Sequence, residues 1–192
     1  MLGFARPGRP VLAAAAAGAL VLAGGCSASS GHADKPASSS PRASASPSAH
    51  PSLTAAQAAA RSALAAYDGM WKEMQAAGLT ANWKDPKLAL YASGSALATL
   101  VNGLHNDHNA GLVIKGTLVI HPQVISEQPA ASPVQVVIRD CTDDSHWLNY
   151  VAATGKLQNN IPGGHRLAEA IVTQAGGQWT VSQLAVHAEG TC

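Results

Sequence analysis

The residues whose spacing first suggests chemistry are two histidines and an aspartate in the polar segment His105-Asn-Asp-His108. Histidines three positions apart share one face of a helix, and imidazole is a common metal ligand. A zinc site needs three or four ligands, however, and the sequence specifies no third ligand at a useful spacing. The segment also leads into Asn109-Ala-Gly111, which is typical of a solvated helix end, where histidine favours the dipole. We therefore predict neither a metal site nor a cofactor.

Three cysteines form the second set, and their odd number leaves one of Cys26, Cys141 and Cys192 with a separate role. Cys26 ends an N-terminal segment in which Arg6 and Arg9 precede an apolar, uncharged run and then a stretch of small residues. This order of parts is typical of a secretory signal. The apolar run is also too short for a comfortable membrane span, which needs about 20 residues.

The stretch Leu22-Ala-Gly-Gly-Cys26 resembles the lipobox of bacterial lipoproteins, in which the signal is cut just before a cysteine that then carries the lipid. The resemblance implies a lipoprotein signal peptide over residues 1–25 and lipid attachment at Cys26. Ala23 departs from the pattern, which prefers a branched residue at that position. Ordinary cleavage with free secretion, and an uncut anchor, stay open as alternatives.

An extracytoplasmic location predicts the chemical state of the other two cysteines, Cys141 and Cys192. Disulfides persist in oxidising compartments, so we expect Cys141 to pair with Cys192. Closing a loop of about 51 residues stabilises the fold by about 4 kcal/mol in the chain-entropy treatment. A Cys-x-x-Cys motif is absent from the sequence, so we predict a structural disulfide that holds the C-terminus against a strand.

Composition excludes some functions and divides the chain into a tether and a folded domain. The 192 residues suffice for one domain, and a net charge of +1 with 12% charged residues argues against a nucleic-acid-binding protein. Residues 26–52 are mainly Ser, Ala and Pro, which predicts a disordered tether about 30 Å long on average. A glycosylated stalk is the alternative. The folded domain is expected over residues 53–192.

Helices are predicted in the first half of that domain. Thr54-Ala-Ala-Gln57 matches a capping box, and an apolar face follows at helical spacing up to a stop at Gly78. Asp85-Pro86 predicts a short second helix, and residues 95–106 a third.

Strands are predicted in the second half, over residues 115–125, 134–141, 147–153, 165–173 and 179–187. Gly176 and Gly177 suit a tight hairpin between the last two. The alternation changes phase within the last strand, which predicts a β-bulge near Ser182-Gln183. The expected fold class is α+β, with N-terminal helices packed on a strongly curved antiparallel sheet.

The domain resembles the NTF2-like superfamily, whose members have a cone-shaped fold, and more narrowly small secreted lipoproteins of high-GC Gram-positive bacteria. The resemblance lies in a long helix with Tyr67 and Trp71, and in Ala89-Leu-Tyr-Ala-Ser-Gly-Ser-Ala96, Val137-Ile-Arg-Asp-Cys-Thr-Asp143, Gly177-Gln-Trp-Thr-Val181 and Glu189-Gly-Thr-Cys192. It implies a pocket between helices and sheet, one end of which Trp179 closes. It implies no single activity.

Some NTF2-like enzymes of the isomerase or dehydratase type use a pocket Asp or His as the base and a Tyr as hydrogen-bond donor. The residues available for such roles, or for lining the pocket, are Tyr67, Trp71, Tyr91, Asp107, His121 and Asp140. Asp140 lies between Arg139 and Cys141, which equally suits an ion pair at a strand end. We therefore assign no catalytic residue from the sequence.

The leading hypothesis is a lipid-anchored extracytoplasmic binding or interaction module that attaches to the membrane through Cys26. Its expected partner is an envelope protein, such as a membrane enzyme or transporter that it modulates, or a small apolar ligand. An NTF2-like enzyme is the alternative function. A homodimer stays open because both faces of the predicted sheet carry apolar residues.

Overall fold

A computed structural model describes residues 52–192. The predicted signal peptide, the lipidation site Cys26 and the tether up to residue 51 lie outside the described residues. Three helices precede five strands, and the sheet is antiparallel throughout, which confirms the expected α+β class. The elements are α1 (Ala55–Gly78), α2 (Leu88–Tyr91), α3 (Gly94–Asn109), β1 (Leu112–Val119), β2 (Gln123–Gln128), β3 (Gln135–Val151), β4 (His165–Ala175) and β5 (Gln178–Glu189).

Helix α1 begins and ends where its local sequence predicts. The Thr54 hydroxyl accepts the Gln57 N–H at 3.2 Å, and the Gln57 side chain accepts the Thr54 N–H at 2.9 Å. These two bonds form the predicted capping box and satisfy two amide groups at the start of the helix. The apolar face of α1 is buried against the sheet, and it includes Tyr67, Met70, Trp71 and Met74.

Strand β3 lies at the centre of the sheet. The strands pair in the order β1-β3-β4-β5, and β2 also pairs with β3. Strands β2 and β1 lie end to end along one edge of β3, because β2 pairs with residues 135–139 and β1 with residues 143–151. Strand β4 pairs along the other edge, over residues 135–143. Residues facing the helices from β3 and its neighbours form what we call the inner face.

Two predicted strand boundaries were wrong. The predicted strand over residues 115–125 is divided into β1 and β2, with Pro122 in the break, where its missing N–H removes a ladder donor. The separate strands predicted over 134–141 and 147–153 are one continuous strand, β3. The polar residues between them stay in the ladder because Asp143 pairs with Val119 on one side and with His165 on the other.

The predicted irregularity in β5 is confirmed. The pairing of β4 with β5 shifts between Ile171 and Val172, which leaves Ser182 as the extra residue between two paired neighbours. The Ser182 hydroxyl donates to the Ile171 carbonyl at 3.1 Å. The predicted hairpin is confirmed as well, since Gly176 and Gly177 have φ values of 59° and 83° and connect β4 to β5.

The predicted disulfide between Cys141 and Cys192 is present, with the Cα atoms 5.8 Å apart. Hydrogen bonds hold the chain next to it. The Gly190 N–H donates to the His165 carbonyl at 2.8 Å, and the Thr191 hydroxyl accepts the Leu167 N–H at 2.9 Å. The last residues of the chain are therefore joined to β3 covalently and to β4 by hydrogen bonds.

The core fills the space between the helices and the inner face. Its fully buried members include Tyr67, Met70, Leu88, Leu104, Val136, Ile138, Val172 and Val181. Over residues 52–192 no helix is both long and apolar enough to cross a membrane.

Candidate functional site

A buried carboxylate and a buried phenol meet at the centre of the core. The Tyr67 hydroxyl donates a 3.0 Å hydrogen bond to Asp140 Oδ2, and the two side chains are 0% and 1% exposed. Helix α1 supplies Tyr67 from its apolar face, and β3 supplies Asp140 because residues 136, 138, 140 and 142 alternate onto the inner face. Two residues of the predicted pocket are thus brought into direct contact.

The second oxygen of that carboxylate accepts a hydrogen bond from the segment that connects β1 to β2. The His121 backbone N–H donates to Asp140 Oδ1 at 2.7 Å, whereas the His121 residue itself is exposed. Both carboxylate oxygens therefore have a donor, as a buried carboxylate requires. His121 reaches the site through its main chain, and its imidazole is not part of the pair.

The interpretation of Asp140 as a strand-end charge was wrong. Strand β3 continues eleven residues beyond it, to Val151. Arg139 points to the opposite face of the sheet, where it pairs with Glu169 at 2.9 Å. Alternation along a strand places adjacent residues on opposite faces, so Arg139 is not positioned to neutralise Asp140.

Burial changes the protonation of both partners. It raises the pKa of the Asp140 carboxyl above its usual value, while the His121 N–H and the Tyr67 hydroxyl oppose that rise by binding the ionised form. Burial also raises the pKa of Tyr67 far above its usual range, and the negative charge of Asp140 adds to the rise. The phenol therefore acts as a hydrogen-bond donor and not as a base near neutral pH.

A row of aromatic rings extends from this pair. Trp71 meets Tyr67 edge to face, with ring centres 6.2 Å apart, and Trp147 meets Trp71 in the same way at 6.2 Å. The Trp71 indole N–H has no hydrogen-bond partner in the described part of the chain. This N–H offsets a part of the rise in the pKa of Tyr67 that burial causes, although it is not aligned for a hydrogen bond.

Tyr91 lies apart from the other predicted pocket residues. Its ring packs on Gly69, leaving no room for a side chain at that position of α1. Gly69 is about 200° around the helix from Tyr67. The structure thus groups Tyr67, Trp71 and Asp140, adds the main chain of His121, and places Tyr91 on another side of α1.

The aromatic row ends at an open cleft of about 400 Å³ that Trp147 lines. Its other walls come from α1 and α3, from β1, β3, β4 and β5, and from the connection between β3 and β4. They include Met74, Asp107, Ile114, Asp144, Asn149, Leu157, Asn159, Ile161, Arg166 and Glu189. Asp107 belonged to the set of residues considered from the sequence, and it lines this cleft, which does not include Tyr67.

The sequence did not reveal the remaining polar residues of this cleft. Asp144 lies in the predicted gap between the strands over 134–141 and 147–153, and Arg166 lies near the start of the strand predicted over 165–173. Their side chains pair at 2.8 Å. A signal for Asp144 existed, because it continues the even-numbered alternation that places Asp140 and Thr142 inside. Because the strand was predicted to end at residue 141, the alternation was not followed as far as Asp144.

The segment considered for metal binding lines a separate cleft of about 520 Å³. His105 meets Trp83 edge to face, with ring centres 4.9 Å apart, and Lys84 lies 4.6 Å from the centre of the Trp83 ring. Within residues 52–192, no three His, Cys, Asp or Glu side chains are arranged to hold a metal ion.

Comparison with known proteins leaves the family undetermined. No protein-family model matches the chain, and no curated protein matches it. The intermembrane space region of the chloroplast protein ARC6 has a similar structure, with 16% identity and a TM-score of 0.49 over 68% of this chain and 97% of that one. A cystatin-like protein of unknown function from Nostoc punctiforme has 7% identity and a TM-score of 0.40, over 67% and 92%. Similarity at this level carries no argument, so the NTF2-like assignment stays a prediction.

Proposed function

We propose that this chain is a lipid-anchored extracytoplasmic binding module with an NTF2-like domain and no catalytic activity of its own. One contrast carries the proposal. Among the acid–base candidates from the sequence, Tyr67 and Asp140 are hydrogen-bonded to each other and sealed in the core, whereas the cleft beside Trp147 is open. The open surface favours binding, and the sealed pair favours a structural role.

Catalysis at Asp140 requires a substrate within hydrogen-bond reach of its carboxylate. Asp140 is 1% exposed, and its two oxygens already accept hydrogen bonds from Tyr67 and His121. An enzyme of the isomerase or dehydratase type remains the second candidate, because Tyr67 and Asp140 do converge. That alternative requires the Tyr67–Trp71–Trp147 row to move aside and admit a substrate.

The size of the cleft favours a small ligand as the bound partner. A volume of about 400 Å³ is within the range of small-molecule sites, roughly 300 to 1,000 Å³. Its lining combines apolar side chains such as Met74 and Ile114 with a similar number of polar or charged ones such as Asn149, so it presents surface to both the apolar and the polar parts of a ligand.

The location and fold family rest on separate observations. The lipobox at Cys26 indicates export and lipid attachment, and the Cys141–Cys192 disulfide supports an oxidising compartment. Register shifts in the β1–β3, β2–β3 and β4–β5 pairs support a strongly curved sheet of the NTF2-like kind, since each bulge bends its strand.

Mapping of small-molecule binding tests the function. Compounds from a fragment library that bind the full chain should shift the amide signals of residues 157–163 and the indole N–H of Trp147. Replacing the exposed lining residues with Leu157→Ser and Ile161→Ser should weaken binding, since both contribute apolar surface to the cleft. Ile125→Ser is the matched control, because Ile125 is 52% exposed on β2 and does not line the cleft.

A second variant separates binding from catalysis. Asp140→Asn keeps a hydrogen-bonding group of the same shape at the buried position, so the fold and the cleft should persist. Binding should therefore be unchanged in this variant. Turnover of a bound compound that Asp140→Asn abolishes, with the fold intact, would establish the enzyme instead.

A further inference from the structure

Negative charge predominates around the cleft. Three carboxylates line it, those of Asp107, Asp144 and Glu189, against the single guanidinium of Arg166. A ligand that enters the cleft therefore meets an excess of negative charge, which attracts cations and repels anions over several ångströms.

The positive charge of Arg166 is already compensated within the protein. Its Nε lies 2.8 Å from Asp144 Oδ2, and its Nη2 lies 3.9 Å from Glu189 Oε2. Asp144 Oδ1 in turn accepts the Gly164 N–H at 2.6 Å. The arrangement holds the connection between β3 and β4 against the sheet, and it leaves Arg166 poorly placed to attract an anion.

Asp107 approaches the cleft from α3 without such compensation. Its side chain makes no hydrogen bond or ion pair with any residue between 52 and 192. It lies in the last turn of α3, where the helix dipole disfavours negative charge. Partial burial also raises the pKa of this carboxyl. A cation bound beside Asp107 would offset both the unfavourable helix dipole and the cost of partly burying the ionised carboxylate.

The rest of the lining suits the apolar body of such a ligand. Met74, Ile114 and the Trp147 indole provide apolar and aromatic surface, and an indole also attracts a cation that approaches its face. A metal ion does not suit this lining, because the carboxylates are not arranged as a ligand set within the described residues.

We infer that the cleft binds a small organic cation, a ligand that carries a protonated or quaternary amine on an apolar body, with Asp107 as the residue that recognises the charge. The inference rests on the proposed binding function of the same cleft and adds the chemical class of its ligand.

Three probes of similar shape and different charge test it: 2-phenylethylamine, 2-phenylethanol and 3-phenylpropionate. Each is titrated at pH 7 into the full chain in detergent solution, and the Trp147 indole N–H signal is followed by NMR. The amine should bind most tightly and the carboxylate least. Asp107→Asn should weaken binding of the amine by about five- to tenfold, the effect of losing one partly screened charge, and should leave binding of the alcohol unchanged.

Glu127→Gln is the control variant, because it makes the same change in net charge on β2, at a residue that does not line the cleft. Partition of a probe into detergent is common to all variants and does not affect their comparison. Equal or tighter binding of the alcohol or the carboxylate at Trp147 would overturn the cation inference and leave the binding function standing. The absence of any Trp147 shift with all three probes would count against both.

Discussion

The Tyr67 hydroxyl donates to Asp140 across 3.0 Å and 73 positions of sequence, and this bond joins α1 to β3 in the interior. Tyr67 thus supplies a hydrogen-bond donor to Asp140, the most deeply buried charged side chain of the sheet over residues 52–192. The pair therefore contributes to the specificity of helix packing, because a shift of α1 along the sheet would remove the Tyr67 hydroxyl from the buried carboxylate.

Tyr67→Phe tests that contribution. Loss of the hydroxyl leaves Asp140 Oδ2 without a donor, so we expect the free energy of unfolding to fall by about 2 kcal/mol at pH 7. Because Tyr67 stabilises the ionised carboxylate, the loss should shrink as the pH falls through the folded-state pKa of Asp140. Urea unfolding of both proteins at pH 7 and pH 4 measures this. An equal loss at both values would show that the bond does not depend on the charge of Asp140.

Asp140→Asn tests the protonation of the same site. The raised folded-state pKa means that Asp140 contributes stability below its unfolded pKa of about 3.8, and that this contribution is lost as the pH rises through the folded-state value. The asparagine variant lacks this titration. Its stability relative to the parent should therefore increase between pH 3.5 and pH 7. A difference that stays constant over this range would contradict the raised pKa.

Removal of the disulfide by Cys141→Ser with Cys192→Ser should lower the free energy of unfolding by about 2 to 4 kcal/mol, because the cross-link restricts the unfolded chain. Unfolding with and without a dithiol reductant provides the measurement. The reductant should destabilise the parent chain and leave the double variant unchanged. Two free thiols in the folded parent chain, detected by mass spectrometry under non-reducing conditions, would refute the cross-link.

Gly116→Ala tests the close approach between β1 and β3. Gly116 has a φ of 101°, and an added Cβ would collide with the His146 carbonyl oxygen. We expect a loss of at least about 2 kcal/mol, since backbone would have to move. Gly103→Ala in α3 is the matched control, because nothing lies within 4 Å of its added Cβ. Alanine favours helix there, so the control should gain about 0.5 to 1 kcal/mol.

The lipid attachment is tested on the mature N-terminus. Mass spectrometry of the chain isolated from its native membrane should find Cys26 as the first residue, with the added mass of a diacylglycerol. Cys26→Ala should release the protein from the membrane fraction. An unmodified chain that begins elsewhere would favour ordinary secretion.

Local sequence predicted several features because their causes are local. The capping box joins Thr54 and Gln57, which are three residues apart, and neighbouring glycines form the β4–β5 hairpin. The bulge at Ser182 was visible as a change of phase in the alternation of one strand. Each of these patterns is complete within a few residues, so no knowledge of the packing is needed to interpret it.

The candidate site could not be predicted in the same way. Asp143, Asp144 and Ser145 suggest a loop, yet they continue β3, because Gly164 and Arg166 supply partners from twenty or more residues away. That Asp107 and Trp147 line the same cleft likewise depends on how the helices and the sheet pack. No sequence spacing encodes these distances.

The sequence by itself determined the class of fold, the limits of α1, the pairing of Cys141 with Cys192 and the expectation of a lipid at Cys26. These follow from hydrophobic periodicity, local capping and the order of a signal segment. Only the tertiary structure decided that Asp140 is sealed by Tyr67 while Asp107 faces an open cleft. The physical reason is that burial is a property of packed elements, and it separates two carboxylates that look alike in the sequence.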